Sequence, residues 1–250
     1  MCKYFSHRFF GFTVFIKRLF FITPNKPRSK ALRVTLCVCL LAGWQTLGQA
    51  AELRIMLQDA ETGLPLSDAV IEVLLPAALQ ATHTTVADYS VDQIAKEFVA
   101  NVTVVPRGSR INFPNSDDIL HHVYSFSPAR AFDLPLYGSG QNIDNYLPFE
   151  EVGIVELGCN IHDWMLAHVY VAETSLAVKT DAAGQAFISG IPAGSHVVKV
   201  WHSLAEEGQT GMEQQIIFAE SGESRLQMAL TLRRDMRLRR APTPARSRYR

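Results

Sequence analysis

The chain has 250 residues, 48% of them hydrophobic and 19% charged, a balance that supports a packed core and excludes disorder throughout. It is too long for one small domain and short for three. The formal net charge of zero hides three blocks: residues 1–50 carry 8 basic residues and no acid, residues 51–232 carry 8 basic and 23 acidic for a net of −15, and residues 233–250 carry 8 Arg against Asp235 for a net of +7.

The first block reads as a signal peptide over residues 1–50. The apolar run "ALRVTLCVCLLAGW" (Ala31 to Trp44) follows Lys26, Arg28 and Lys30, and "GQA" (Gly48 to Ala50) offers small residues for cleavage after Ala50. A periplasmic location is therefore expected, with a retained N-terminal anchor as the alternative. From residue 51 onward the periodicity is mostly two. Leu53 to Gln58 reads as a strand, Gly63 and Pro65 punctuate a turn, and Ala69 to Pro76 reads as the returning strand. A polar connector rich in Ala and Thr follows. One or two helical turns are expected near "VDQIAKEF" (Val91 to Phe98). Short strands then recur in "VTVVPRGSRINFPN", "HHVYSFS", "AFDLPLY", "GIVELGC" and "LAHVYVAE". Pro106, Gly108, Pro114 and Pro135 fall between these runs or at their ends. The last group, Leu176 to Leu232, holds further strands with "DAAGQ" and "PAGS" as hairpin turns. The pattern predicts an all-β chain of two sandwiches. Residues 233–250, rich in Pro and Arg without an apolar face, read as a disordered basic tail.

Three of the four cysteines lie in the leader, so the exported chain keeps only Cys159. A lone cysteine in an oxidising compartment makes no intrachain disulfide. In "GCNIHDWM" it stands with His162 and Met165, a thiolate, an imidazole and a thioether. That soft set suits copper rather than calcium or magnesium, and two His, one Cys and a weak axial Met make up the electron-transfer copper arrangement. Structural zinc sites usually pair cysteines, and here there is no second one. A second His must come from upstream, where "NSDDILHHV" offers His121 and His122. Adjacent strand residues face opposite ways, so one of the two enters the site. His83, His168 and His202 read as packed or surface histidines.

"VTVVPRGSRINFPNSDDILHHV" followed by "GIVELGCNIHDWM" resembles the cupredoxins, the plastocyanin and amicyanin family of blue copper proteins. The Cys-x2-His-x2-Met loop has the amicyanin length. The whole also resembles exported proteins labelled "methylamine utilization protein". In the family a strand ends in Asn, and the ligand His follows six residues later. Asn115 to His121 is six, so the resemblance implies His121, Cys159, His162 and Met165 as ligands of one type 1 copper. It implies that His122 and Asn160, at positions where the family usually has other residues, brace the ligand loops. It also implies that the edge of His162 meets a partner inside an apolar rim of Leu120, Trp164 and Leu166. The segments on either side, "LQDAETGLPLSDAVIEVLLP" and "TDAAGQAFISGIPAGSHVVKVWH", resemble carboxypeptidase regulatory-like, transthyretin-like sandwiches. The expected division is residues 51–84 and 174–232 in that sandwich, with an inserted cupredoxin domain over residues 85–173.

The function expected is one-electron transfer by a blue copper protein, not enzymatic turnover. The acidic body would steer it to a cationic redox protein such as a c-type cytochrome. No nucleic-acid partner is expected, and the basic tail offers contact with a membrane surface. The alternatives are a periplasmic copper carrier or scavenger, and a carbohydrate-binding or adhesion sandwich with a structural metal.

Overall fold

The computed structural model describes residues 50–141, 146–206 and 212–235. The signal-peptide reading, apart from Ala50, and the tail reading beyond Asp235 lie outside those residues. Among the described residues no helix is long and apolar enough to cross a membrane.

The chain opens with β1 (Ala51–Asp59), where Leu53, Ile55 and Leu57 point inward and Arg54 and Met56 point out, the alternation a half-buried strand requires. After it comes β2 (Val70–Leu74), a Val/Ile-rich run buried on both faces. The connector then holds a helical turn, α1 (Ala77–Gln80), followed by a 3-10 turn over Ala81–His83. Ten strands succeed it: β3 (Asp88–Ser90), β4 (Asp92–Ile94), β5 (Glu97–Val99), β6 (Val102–Pro106), β7 (Ser109–Asn112), β8 (Tyr124–Ser127), β9 (Arg130–Asp133), β10 (Leu147–Phe149), β11 (Gly153–Gly158) and β12 (Leu166–Ala172). The chain closes with β13 (Ala177–Lys179), β14 (Gln185–Ile191), β15 (Gly194–Trp201), β16 (Met212–Phe218) and β17 (Gly222–Leu230).

The architecture is all-β. One sandwich sets the sheet β14-β1-β17 against β13-β2-β15-β16, around a core that includes Leu53, Ile71, Ile188, Val198 and Leu230. The other sets β10-β7-β3 against β6-β12-β11-β8-β9, around Ile111, Phe113, Phe149, Val155 and Val169. All strands of the second sandwich lie between β2 and β13 in the chain, so the first is assembled from both flanks. A small third cluster joins the two: Val70 and Trp201 from one, Val102, Tyr170 and Ala172 from the other. Glu72, 1% exposed, sits at that junction. It accepts hydrogen bonds from the Tyr170 hydroxyl at 2.6 Å and the Glu173 amide at 2.7 Å.

One expectation is overturned. Val91 to Phe98 is not helical but forms the hairpin β4–β5. Its turn residues Ala95 and Lys96 have φ of 53° and 62°, the left-handed pair a tight primed hairpin turn needs. Neither is Gly or Asn, so the turn carried no local signal. Strands β3 and β10 also had no counterpart in the reading of the sequence. They are three-residue pieces that pair with β7 from opposite sides.

Candidate metal centre

Strands β11 and β12 pair antiparallel down to Gly158 opposite Leu166, so Cys159 to Met165 form the loop that joins them. Inside it the Met165 amide donates to the His162 carbonyl at 2.9 Å, which turns the chain back on itself. Cys159 and Met165 are 3% and 2% exposed and belong to the same apolar core cluster. His162 is half-buried at the loop's outer edge. The fourth residue comes from another segment. His121 exchanges backbone hydrogen bonds of 2.9 Å with Tyr137 in both directions, and its side chain is fully buried.

These elements bring three donors together. Cys159 Sγ lies 3.9 Å from His121 Nδ1 and 3.7 Å from His162 Nδ1. The donor atoms of the three residues all fall within 4.8 Å of one another. Metal–imidazole and metal–thiolate bonds of about 2.0–2.1 Å and about 2.3 Å, set at a trigonal angle of about 120°, would separate N from S by about 3.8 Å. The observed separations therefore match donors arranged around one ion. Met165 adds a thioether from the same buried cluster, and the set of soft and imidazole donors fits copper.

Asp117, which the sequence reading did not single out, organises the site. Its Oδ2 lies 2.7 Å from His121 Nε2. A carboxylate only accepts, so Nε2 carries the ring proton and Nδ1 is left as the free lone pair facing Cys159. The same carboxylate accepts from the Ala95 amide at 2.6 Å and the Lys96 amide at 2.8 Å. Burial opposes ionisation of Asp117, but the bonds from Lys96, His121 and Ala95 together hold its carboxyl below the usual range. Burial lowers the pKa of His162, and its neighbours His121 and Lys96 push it the same way while Asp117 opposes. A neutral imidazole is the form that binds metal.

The remaining residues fall into two groups. Asn115 shapes the His121 segment: its amide donates to the carbonyls of Ile119 and Tyr137 at 2.9 and 3.0 Å, and its Oδ1 accepts from the Asp117 amide at 2.9 Å. Below it Tyr137 donates to the Phe113 carbonyl and accepts from Gln93, both at 2.6 Å. Burial pushes its hydroxyl pKa up to about 12. His122 does not brace the ligand loop. It turns to the opposite face and pairs with Asp133. Asn160 is exposed within the loop, and its side chain makes no hydrogen bond to another described residue. The expected apolar rim is divided. Leu120 is exposed, as is Ile161, which was not foreseen. Trp164 is tucked in, with its indole N–H donating to the Lys96 carbonyl at 3.0 Å and its ring 5.3 Å from that of His162. Leu166 starts β12 and, with Tyr124 and Phe126, lines a pocket that Cys159 and Met165 also line.

Neither a family model nor a curated protein matches the chain. Solved structures do. A purple cupredoxin from Nitrosopumilus maritimus is 21% identical over 34% of this chain and 99% of its own, with a TM-score of 0.30. A copper-containing nitrite reductase from Thermus scotoductus is 23% identical over 40% of this chain and 27% of its own, with a TM-score of 0.31. A reduced amicyanin variant is 19% identical over 40% of this chain and 97% of its own, with a TM-score of 0.29. These neighbours are copper proteins by name, and the likeness covers a minority of the chain. At such scores it assigns nothing to this protein, whose site rests on its own donors.

Proposed function

We propose that the chain is an extracytoplasmic blue copper protein that carries single electrons. The observation that carries this reading is the convergence of His121 Nδ1, Cys159 Sγ and His162 Nδ1 within 4.8 Å, beside buried Met165. His121, Cys159 and His162 would hold the ion, with the thioether of Met165 as a further weak donor. Copper bound there supplies a Cu(I)/Cu(II) couple in a ligand set that suits both states. The chain's own residues do the rest. Asp117 fixes the tautomer of His121. Cys159 and Met165, buried in apolar packing, keep water from the sulfur donors. His162 presents the half-buried edge through which an electron would reach a partner, with exposed Leu120 and Ile161 as candidates for the docking rim. Burial of Cys159 and His121 favours retention of the ion over ready release, and so an electron carrier over a copper carrier or scavenger. A cationic redox protein is the partner that the acidic body would attract.

The test is a visible spectrum of the chain loaded with Cu(II). Intense thiolate-to-copper absorption at one copper per chain is expected, and Cys159→Ser should abolish it while the far-UV β signal stays. A colourless protein that binds zinc tightly and excludes copper would overturn the proposal.

A further inference from the structure

A second cavity, of about 620 Å³, opens at the junction of the two sandwiches. His121, Cys159, His162 and Met165 are not among its lining residues. Its walls include Val152, Ile154 and Tyr170 from one sandwich and Lys199, Trp201 and Arg233 from the segments that follow β14. That volume falls within the range of small-molecule sites.

Its chemistry is unlike that of the surface around it. The body from residue 51 to 232 has a net charge of −15, yet the cavity gathers Lys199 and Arg233 and has a single lining carboxylate, Glu156. That carboxylate lies 3.6 Å from His168 Nε2. The charge of Lys199 acts on buried Glu72, but no salt bridge joins it to a described residue. Glu72, its cross-strand neighbour in β2, is already engaged by Tyr170 and Glu173. Arg233 is held at the mouth, its amide bonded to the Leu204 carbonyl at 2.8 Å and its guanidinium to the Ser203 carbonyl at 3.0 Å. Trp201 is 2% exposed, and its indole N–H donates to no described residue. The cavity thus offers cationic and neutral donors above an aromatic and aliphatic floor.

We propose that this cavity binds a small organic anion, with its carboxylate or phosphate on Lys199 and Arg233, an acceptor on the Trp201 indole, and its carbon body on Ile154 and Tyr170. Donor excess selects an acceptor-rich ligand, and two lining cations against one lining carboxylate, itself beside His168, select an anion.

The test titrates the full chain with glucuronate, glucose 6-phosphate and, as the neutral control, glucose. Heat of binding and the Trp201 indole N–H resonance, assigned with Trp201→Phe, are read together. Saturable binding of glucuronate or glucose 6-phosphate is expected, with a shift of the Trp201 resonance and binding to glucose at least about tenfold weaker. Whichever anion binds more tightly identifies the carboxylate or the phosphate as the preferred group. Lys199→Gln and Arg233→Gln should each weaken it about tenfold or more, the usual loss for a charge-assisted hydrogen bond. Failure of both anions to saturate, equal binding of glucose, an unmoved Trp201 resonance, or unchanged affinity in the two variants would each overturn the proposal. The wild-type titration and the resonance decide it even if a variant folds poorly.

Discussion

At the residue scale, Asp117 carries more of the proposed site than any non-ligand. One carboxylate sets the tautomer of His121 and ties down the turn at Ala95 and Lys96. Asp117→Asn should lower copper affinity about 10- to 100-fold, the usual cost of losing a carboxylate behind a ligating His. Competition with a chelator measures this, and an unchanged affinity would show that the Asp117–His121 contact is incidental. The two adjacent histidines should separate sharply. His121→Ala removes a buried donor facing Cys159 and should destroy the copper spectrum, whereas His122→Ala removes the pairing with Asp133 and a ring contact with Tyr124 and should leave it nearly intact. The opposite pattern would mean that the ligand register is wrong. The donors were legible in the sequence because Cys159, His162 and Met165 share one short loop and their residue types are chemically rare together. Asp117 was not. It stands beside a second acid, Asp118, in a segment without regular periodicity, and nothing local says which of the two carboxylates turns inward.

At the element scale, the strands were legible where alternation was long and one face was buried. β1 shows this, with Leu53, Ile55 and Leu57 inside and charged or flexible residues outside. The hairpin β4–β5 was misread for a physical reason. Val91, Ile94, Ala95 and Phe98 recur at helical spacing, and the turn lacks the Gly or Asn that marks left-handed backbone. What holds the turn is remote: the Asp117 carboxylate on two amides and the Trp164 indole on the Lys96 carbonyl. Side chains other than Gly adopt such φ values at a cost of roughly 1–2 kcal/mol each. Replacing Ala95 and Lys96 with Asn and Gly should therefore raise unfolding stability by about 1 kcal/mol after the entropic penalty of Gly. Chemical denaturation reads the change. Destabilisation instead would show that the Lys96 side chain contributes packing that the backbone relief does not offset.

At the scale of the whole molecule, the two sandwiches meet around Tyr170, Trp201 and one buried acid, Glu72. No alternation pattern announces an acid in the middle of β2, where Val70, Ile71 and Val73 are all buried. It is tolerated because the Tyr170 hydroxyl and the Glu173 amide, both from the other sandwich or its exit, satisfy its two oxygens. Burial raises the Glu72 pKa above its ordinary 4.5, with the bonds from Tyr170 and Glu173 and the charge of Lys199 opposing and the charge of Glu173 adding to the rise. The unfolded chain releases this proton at the ordinary value, and the folded chain releases it later. Between those two points the native state holds more protons, so stability falls as pH rises. The contribution is complete below the unfolded value and is lost once pH has passed through the raised one. Glu72→Gln keeps the shape and leaves each heteroatom a hydrogen-bonding role, because the Tyr170 hydroxyl both donates and accepts. The variant should match the wild type in melting temperature near pH 4 and exceed it progressively toward pH 8. A difference that is flat across that range would mean that Glu72 titrates in the native state as it does when unfolded, and that the junction is held by the apolar contacts of Val70, Tyr170 and Trp201 alone.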